Sequence, residues 1–206
     1  MAGLFISFEG IDGVGKSTQA DLLEGYLRER GNTVVRTLEP GGTELGQEIR
    51  HLLLHRKGDV APRAEALLYA ADRAHHVATK VRPALERGEV VITDRYLDSS
   101  VAYQGAGRVL DQDQIRELSI FAVDGLLPDV TILLDLDAAE SMARRNKTGT
   151  EPDRLEREKV EFFEAVRQGY LKLAAAEPNR FIVIPASHTV DEIQAQIRAR
   201  IDTFLG

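Results

Sequence analysis

The chain contains no cysteine. Disulfides, thiolate nucleophiles and cysteine-based zinc sites are therefore excluded. No apolar run approaches the ~20 residues that a membrane span needs, so no membrane partner is expected. The first residues run straight into an apolar strand, no secretory signal is evident, and the cytoplasm is the default expectation. An excess of positive charge is also missing. The formal net charge is −7, which argues against a nucleic acid polymer bound over a broad surface. A nucleotide monomer stays possible, because a cleft can be basic inside an acidic protein. The five histidines, including the pair His75-His76, lack metal-ligand spacing such as His-Glu-x-x-His, and read as ordinary surface or helix residues. There is no internal repeat, no low-complexity segment and no linker. With 43% hydrophobic residues over 206 positions, one full core and a single domain over 1–206 are expected.

What is present is concentrated near the start, in Phe8-Glu9-Gly10-Ile11-Asp12-Gly13-Val14-Gly15-Lys16-Ser17-Thr18. A Gly, four residues, then Gly-Lys-Ser is the spacing of a phosphate-binding loop. The glycines let the backbone bend tightly, so that N–H groups over Gly10, Asp12, Gly13, Val14 and Gly15 approach phosphate oxygens. The helix that opens at Ser17-Thr18 adds its positive dipole end. Lys16, expected to stand exposed on the loop, can reach the outer phosphates, and the Ser17 hydroxyl can ligate Mg²⁺. A glycine-rich turn could match this pattern by chance. The apolar strand before it and the amphipathic helix after it argue otherwise.

The rest of the chain alternates strands with helices. Strands are predicted over about 4–9, 33–37, 90–93, 129–135 and 180–184. Helices are predicted over 17–30, 44–54, 62–87, 97–105, 111–124, from 138, up to 176, and over 190–205. Pro83 should kink or break the third helix, and Gly88 should stop it. This order predicts an α/β fold, a P-loop NTPase-type three-layer sandwich with a five-stranded parallel sheet and helices on both faces. Ligands of such sheets lie beyond the carboxyl ends of the strands. Gly10, Glu39, Asp94 and Pro185 fall at those ends.

Three further stretches narrow the chemistry. Asp94-Arg95-Tyr96 follows the third strand, where a carboxylate can hold Mg²⁺ opposite Ser17 and the arginine can meet a second phosphate. A helix cap is the competing, lesser reading of Asp94. The basic stretch Arg144, Arg145, Lys147, Arg154, with Gly149 and Pro152, reads either as a solvated helix surface or as a short mobile lid, about 144–154. A lid there would close over the donor phosphates, where arginine charge stabilises a transferring phosphoryl group and closure excludes water. Finally, Tyr69-Ala70-Ala71-Asp72-Arg73 and Ser99-Ser100-Val101-Ala102-Tyr103-Gln104 lie on helices that should line one cleft. An aromatic face, an arginine and an amide suit a nucleobase. Core packing of Tyr69 and Tyr103 is the competing reading.

With Glu39-Pro40-Gly41-Gly42-Thr43 and Ala102-Tyr103-Gln104-Gly105 added to these segments, the sequence resembles the thymidylate kinases of the bacterial kind over nearly its whole length. The resemblance implies an ATP-dependent kinase that makes dTDP from dTMP. It implies that Lys16 and Ser17 bind ATP phosphates and Mg²⁺. Asp12 would approach the sugar 3′-OH, and Glu39 and Pro40 would line the dTMP site. Arg50 and Arg95 would clamp the acceptor phosphate. Tyr69 stands where the family has a phenylalanine that stacks on thymine. Arg73 would donate to thymine O4, Ser99, Ser100 and Gln104 would complete the base site, and Tyr103 would crowd the sugar 2′ position. Pro185-Ala186-Ser187 resembles the adenine-side loop. Arg144, Lys147 and Arg154, with Lys16, Asp94 and Arg95, would form the catalytic set. A homodimer is implied, and the Ala-rich helix around 64–78 is compatible with one.

The chemistry coheres with this. Thymine O4 accepts a hydrogen bond where cytosine N4 donates, so an arginine at that edge rejects cytosine. A phosphate monoester with second pKa of about 6 needs no general base. Some positions depart from the pattern. Leu38 stands where the family often has arginine. Thr148 stands where arginine often precedes Gly149, with Lys147 as a substitute. Gly13 replaces the loop arginine of the eukaryotic enzymes. The alternatives are another small P-loop nucleotide or nucleoside kinase, or a nucleotide-dependent switch. A guanine-binding switch should carry an Asn-Lys-x-Asp-type motif, which is not found in the sequence.

Overall fold

The computed structural model describes residues 3–108, 110–146 and 153–205. Five parallel strands form one sheet in the order β2-β3-β1-β4-β5. They are β1 (Phe5–Glu9), β2 (Val34–Leu38), β3 (Val90–Asp94), β4 (Val130–Asp135) and β5 (Phe181–Pro185). β1 holds the middle, and all five of its residues are buried. That central place is why it reads as an apolar run broken only by Ser7, whose hydroxyl meets Thr131 Oγ1 at 2.9 Å, with one acid, Glu9, at its end. Parallel pairing puts Phe8 beside Asp94 and Glu9 beside Leu133. The carboxyl ends of β1 and β3 therefore lie together, with the phosphate loop leaving one and Arg95 leaving the other.

The helices are α1 (Lys16–Glu29), α2 (Glu44–Leu54), α3 (Pro62–His76), α4 (Arg82–Glu86), α5 (Leu97–Ser100), α6 (Gln112–Ala122), α7 (Ala138–Asn146), α8 (Val160–Ala176) and α9 (Val190–Leu205). Alternation along β1 divides the core. Ile6 and Phe8 pack with Leu23 and Leu27 of α1 and Ile197 and Ile201 of α9. Phe5 packs with Val77, Val81 and Tyr96, its ring 4.9 Å from that of Tyr96, edge to face. Each such aromatic or branched side chain contributes about 1.5–3 kcal/mol by leaving water.

Two stretches widen from α-helical to π-helical spacing, Val77–Val81 and Val101–Gly107. The first lies directly before Pro83, which removes a donor and crowds the carbonyl four residues back. The break expected at Pro83 is met by this wider turn, with the proline in the first turn of α4. The second carries Tyr103 and Gln104. Pro83 explains the first; no comparable residue explains the second.

Helix ends differ in a way that matters for the site. Thr43 caps α2 by accepting from Gly46 N at 3.0 Å, and Asp111 caps α6 from its side chain. α1 begins after Gly15, at φ 95°, with no side-chain cap. Its first-turn N–H groups are left for a ligand.

Candidate active site

The phosphate loop borders a cavity of about 840 Å³, lined by Asp12, Gly13, Gly15, Lys16, Ser17, Thr18, Leu38, Glu39, Arg50, Asp94 and Arg95. Gly13, at φ 83°, sits under α7, where an added Cβ would come within 2.9 Å of the Ser141 carbonyl oxygen. No larger residue fits that crossing. The Ser141 hydroxyl donates to the Asp12 carbonyl, tying α7 to the loop. Lys16 is not exposed as expected: it retains 7% of its accessible surface. Its Nζ donates to the carbonyls of Gly10 and Ile11, each at 3.1 Å. Burial and the neighbouring Arg95 both lower its pKa, against Asp94, Asp12 and Glu9. Gly10 and Val14 do not line the cavity. The Val14 side chain joins the core, and the Gly10 carbonyl accepts from Lys16 and Arg95.

Ser17 Oγ donates to Asp94 Oδ2 at 3.3 Å. This pairs two hard oxygen ligands across the cavity mouth. Among the described residues no group of three or more His, Cys, Asp or Glu forms a metal cage. A hydroxyl with one carboxylate suits Mg²⁺, which keeps most of its coordination for water and phosphate oxygens.

A second cavity, of about 550 Å³, opens beside the first. Every residue of the predicted acceptor set lines it: Asp12, Glu39, Pro40, Arg50, Tyr69, Arg73, Arg95, Ser99, Ser100, Tyr103 and Gln104. Tyr69 and Tyr103 thus face a cavity, although Tyr103 also contributes to the core. Leu54, Asp153 and Leu155 complete the wall and were not anticipated. Asp12, Glu39, Arg50 and Arg95 line both cavities.

Arg95 organises the junction. Its backbone is left-handed, φ 70°, a conformation that costs a non-glycine residue about 1–2 kcal/mol. The Thr93 hydroxyl donates to its carbonyl at 2.9 Å, and its own N–H donates to Phe8 O at 2.9 Å. Nη2 donates to Asp12 Oδ1 at 2.6 Å and Tyr103 OH at 3.1 Å. Nη1 donates to Gly10 O at 3.0 Å, Tyr170 OH at 3.2 Å and Ser99 Oγ at 3.3 Å. Burial would raise the Asp12 carboxyl, but Arg95 and then Lys16 outweigh it and hold it at about 2.

Behind Arg95 lies Glu9, fully buried. Its Oε1 accepts from Tyr96 N at 2.8 Å, and its Oε2 from Ser99 Oγ at 2.6 Å and Tyr170 OH at 2.9 Å. Burial, then the charge of Asp98, push its carboxyl up to about 7. The part of the second cavity around Arg73 has its own buried pair. Arg73 Nε donates to Glu39 Oε2 at 2.6 Å, while Nη1 and Nη2 donate to Ser100 Oγ and Tyr96 O, each at 3.1 Å. Burial opposes the Arg73 charge, and Glu39 outweighs it, raising its pKa. An arginine has five N–H groups, so two remain for a ligand. Glu39 Oε1 pairs with His76 Nδ1 at 2.8 Å, and His76 Nε2 meets Thr37 Oγ1 at 2.7 Å. His76 is therefore no surface histidine; it is fully buried and props Glu39.

The predicted lid cations do not stay together. Arg144 Nη1 donates to Ala186 O at 2.9 Å, joining α7 to the loop Pro185-Ala186-Ser187. Arg154 turns away from it, donating from Nε to Leu53 O at 2.8 Å and pairing with Glu65. Lys147, Thr148, Gly149 and Pro152 lie outside the described residues. Sequence reasoning did not single out Glu9, Glu65, His76 and Tyr170. For Glu9 a signal was available: an acid inside a largely apolar, central strand needs a buried partner.

The family profile described as thymidylate kinase matches residues 8–197. A thymidylate kinase from Leifsonia xyli subsp. xyli is 68% identical over 97% of this chain and 95% of its own length. One from Deinococcus radiodurans is 49% identical over 97% of this chain and 96% of its own length. A crystal structure of thymidylate kinase from Ehrlichia chaffeensis superposes with a TM-score of 0.81 at 32% identity, over 98% of this chain and 100% of that one.

Proposed function

The chain belongs to the thymidylate kinase family: it moves the γ-phosphate of ATP to dTMP, giving dTDP and ADP, and we propose that its two joined cavities divide that work between donor and acceptor. The observation that carries this division is the common wall. Asp12, Glu39, Arg50 and Arg95 face both cavities, so the two phosphate ends would meet where two guanidinium groups already stand.

In this reading the uncapped start of α1, with Gly13, Gly15, Lys16, Ser17 and Thr18, holds the ATP phosphates. Ser17 and Asp94 would hold Mg²⁺, which would supply charge neutralisation to the phosphates. Arg144 and the Pro185-Ala186-Ser187 loop belong to the adenine side. Arg50 and Arg95 grip the acceptor phosphate, Asp12 and Tyr103 meet its sugar, and Tyr69, Arg73, Ser100 and Gln104 surround the base. The acceptor is a dianion near neutrality, so no proton need be removed before attack. The obstacle is repulsion between two anions. Lys16, Arg50 and Arg95 lower it by position and charge rather than by covalent chemistry. Of the predicted lid cations, Arg154 pairs with Glu65 and Arg144 with Glu140, so each would have to exchange a carboxylate for phosphate oxygens to close over the transferring group.

The test is purified protein with ATP and Mg²⁺ and a panel of dTMP, dCMP, AMP, GMP and thymidine. Preference for dTMP is expected. Faster turnover of thymidine would favour a nucleoside kinase, and faster turnover of another monophosphate would overturn the assignment of the base end. The proposal extends to a homodimer and to the cytoplasm. Leu67 on α3 and Phe121 on α6 keep 58% and 84% of their accessible surface, which supports a self-association face, and light scattering decides it. No helix of the described residues is long and apolar enough to cross a membrane.

A further inference from the structure

We infer that Glu65 is a positioning residue for base selection: it fixes the polarity of the Gln104 amide, so that the acceptor cavity offers the base an acceptor at that point and not a donor. The inference rests on the reading of this cavity as the dTMP site. Glu65 lies in the first turn of α3 and is fully buried. It does not line the cavity itself. Gln104 Nε2 donates to its Oε1 at 3.0 Å. Arg108 Nε reaches the same oxygen at 3.4 Å, and Arg154 Nη2 pairs with Oε2.

A carboxylate held between two guanidinium groups accepts and does not donate. The amide must then turn its NH₂ group to Glu65. The reverse orientation would set two acceptors face to face around a side chain only 1% exposed, at the cost of the hydrogen bond between them. Gln104 Oε1 has no hydrogen-bond partner among the described residues, and the side chain lines the cavity. The base end therefore combines spare donors on Arg73 with an acceptor on Gln104. Thymine presents the complement, an O4 acceptor beside the N3–H donor. Cytosine reverses both, with its N4 amino group and unprotonated N3. Arg73 alone would oppose cytosine at one atom, and Glu65, through Gln104, adds the second.

The experiment measures kcat/KM for dTMP and for dCMP, with ATP and Mg²⁺, in the wild-type protein and in Glu65→Gln. A glutamine at 65 both donates and accepts, which frees the Gln104 amide to flip. The dTMP:dCMP ratio is expected to fall by about tenfold or more, through a higher KM for dTMP and a lower KM for dCMP. An unchanged ratio, or equal losses for both substrates, would mean that Glu65 only supports the structure, and the inference falls. If Glu65→Gln does not fold, Glu65→Asp gives the same readout: it keeps a charge for Arg108 and Arg154 but withdraws from Gln104. Wild-type protein without preference for dTMP would remove the acceptor-site reading, and this inference with it. Preference in the wild type with an intact ratio in the variant removes only the role of Glu65.

Discussion

Glu9→Gln separates the electrostatic cost of the buried acid from its packing. In the unfolded chain the carboxyl titrates at its ordinary value of 4.5, and in the folded protein burial and then Asp98 push it up to about 7. Between those values the folded state holds a proton that the unfolded state has released, so stability falls as pH rises. The contribution is complete below pH 4.5 and lost as pH climbs through about 7. At about 1.4 kcal/mol per pH unit, this gap amounts to about 3 kcal/mol. Glutamine does not titrate. It keeps the acceptor for Tyr96 N–H, and its NH₂ faces the hydroxyls of Ser99 and Tyr170, which can accept. Whatever misfit the amide introduces is the same at every pH. The variant should therefore gain about 3 kcal/mol on the wild type between pH 4.5 and 8. Urea unfolding of both proteins at half-unit steps measures it, and titrating groups that do not interact with Glu9 cancel in the difference. Two stability curves that run parallel across this range would refute the reasoning.

Arg73→Ala should cost about 3–5 kcal/mol, because it leaves Glu39 buried with His76 alone, and should raise KM for dTMP; a loss below 1 kcal/mol in urea would show that the pair is not needed for the fold. Asp72 accepts from Gly41 N at 3.1 Å through Oδ1, while its Oδ2 is unpartnered among the described residues. Burial and then the charge of Glu39 push it up to about 6 from 3.8, so its stabilising proton is lost as pH rises through that range. Asp72→Asn should thus be more stable than the wild type at pH 8 by up to about 3 kcal/mol, and much less so at pH 4; a difference that ignores pH refutes this. Lys16→Ala should lower turnover by about 100-fold or more, with unfolding stability unchanged or raised, since burial and Arg95 already disfavour the lysine charge. Near-normal turnover would remove Lys16 from the phosphate site.

Much of this architecture was legible because its signals are local. The strands are short apolar runs between turn formers, and Gly-x₄-Gly-Lys-Ser sets a strand-loop-helix unit by spacing alone. The lining of the second cavity was legible for a different reason: Tyr69 and Arg73, and Ser100 and Gln104, repeat at helical intervals on the stretches that wall it. What was not legible depends on distance along the chain. Tyr170 meets Glu9 across 161 positions, and Arg154 meets Glu65 across 89. No spacing rule connects such pairs. His76 shows the same limit. A histidine on a helix looks alike from the sequence whether it faces water or a glutamate from another strand's end. The grouping of Arg154 with Arg144 followed from their closeness in sequence, and the packing of Leu155 against Leu53 and Leu54 pulls the later residue to another wall.

The four residues with a face in each cavity set the two compartments side by side at one boundary. A single molecule with a pyrimidine at one end and a polyphosphate tail at the other could thread both at once. Tethering turns the second contact into an intramolecular event, so its strength would exceed that of either half alone by a factor set by the length of the tether. The fitting length is short, because Arg50 and Arg95 already stand at the threshold.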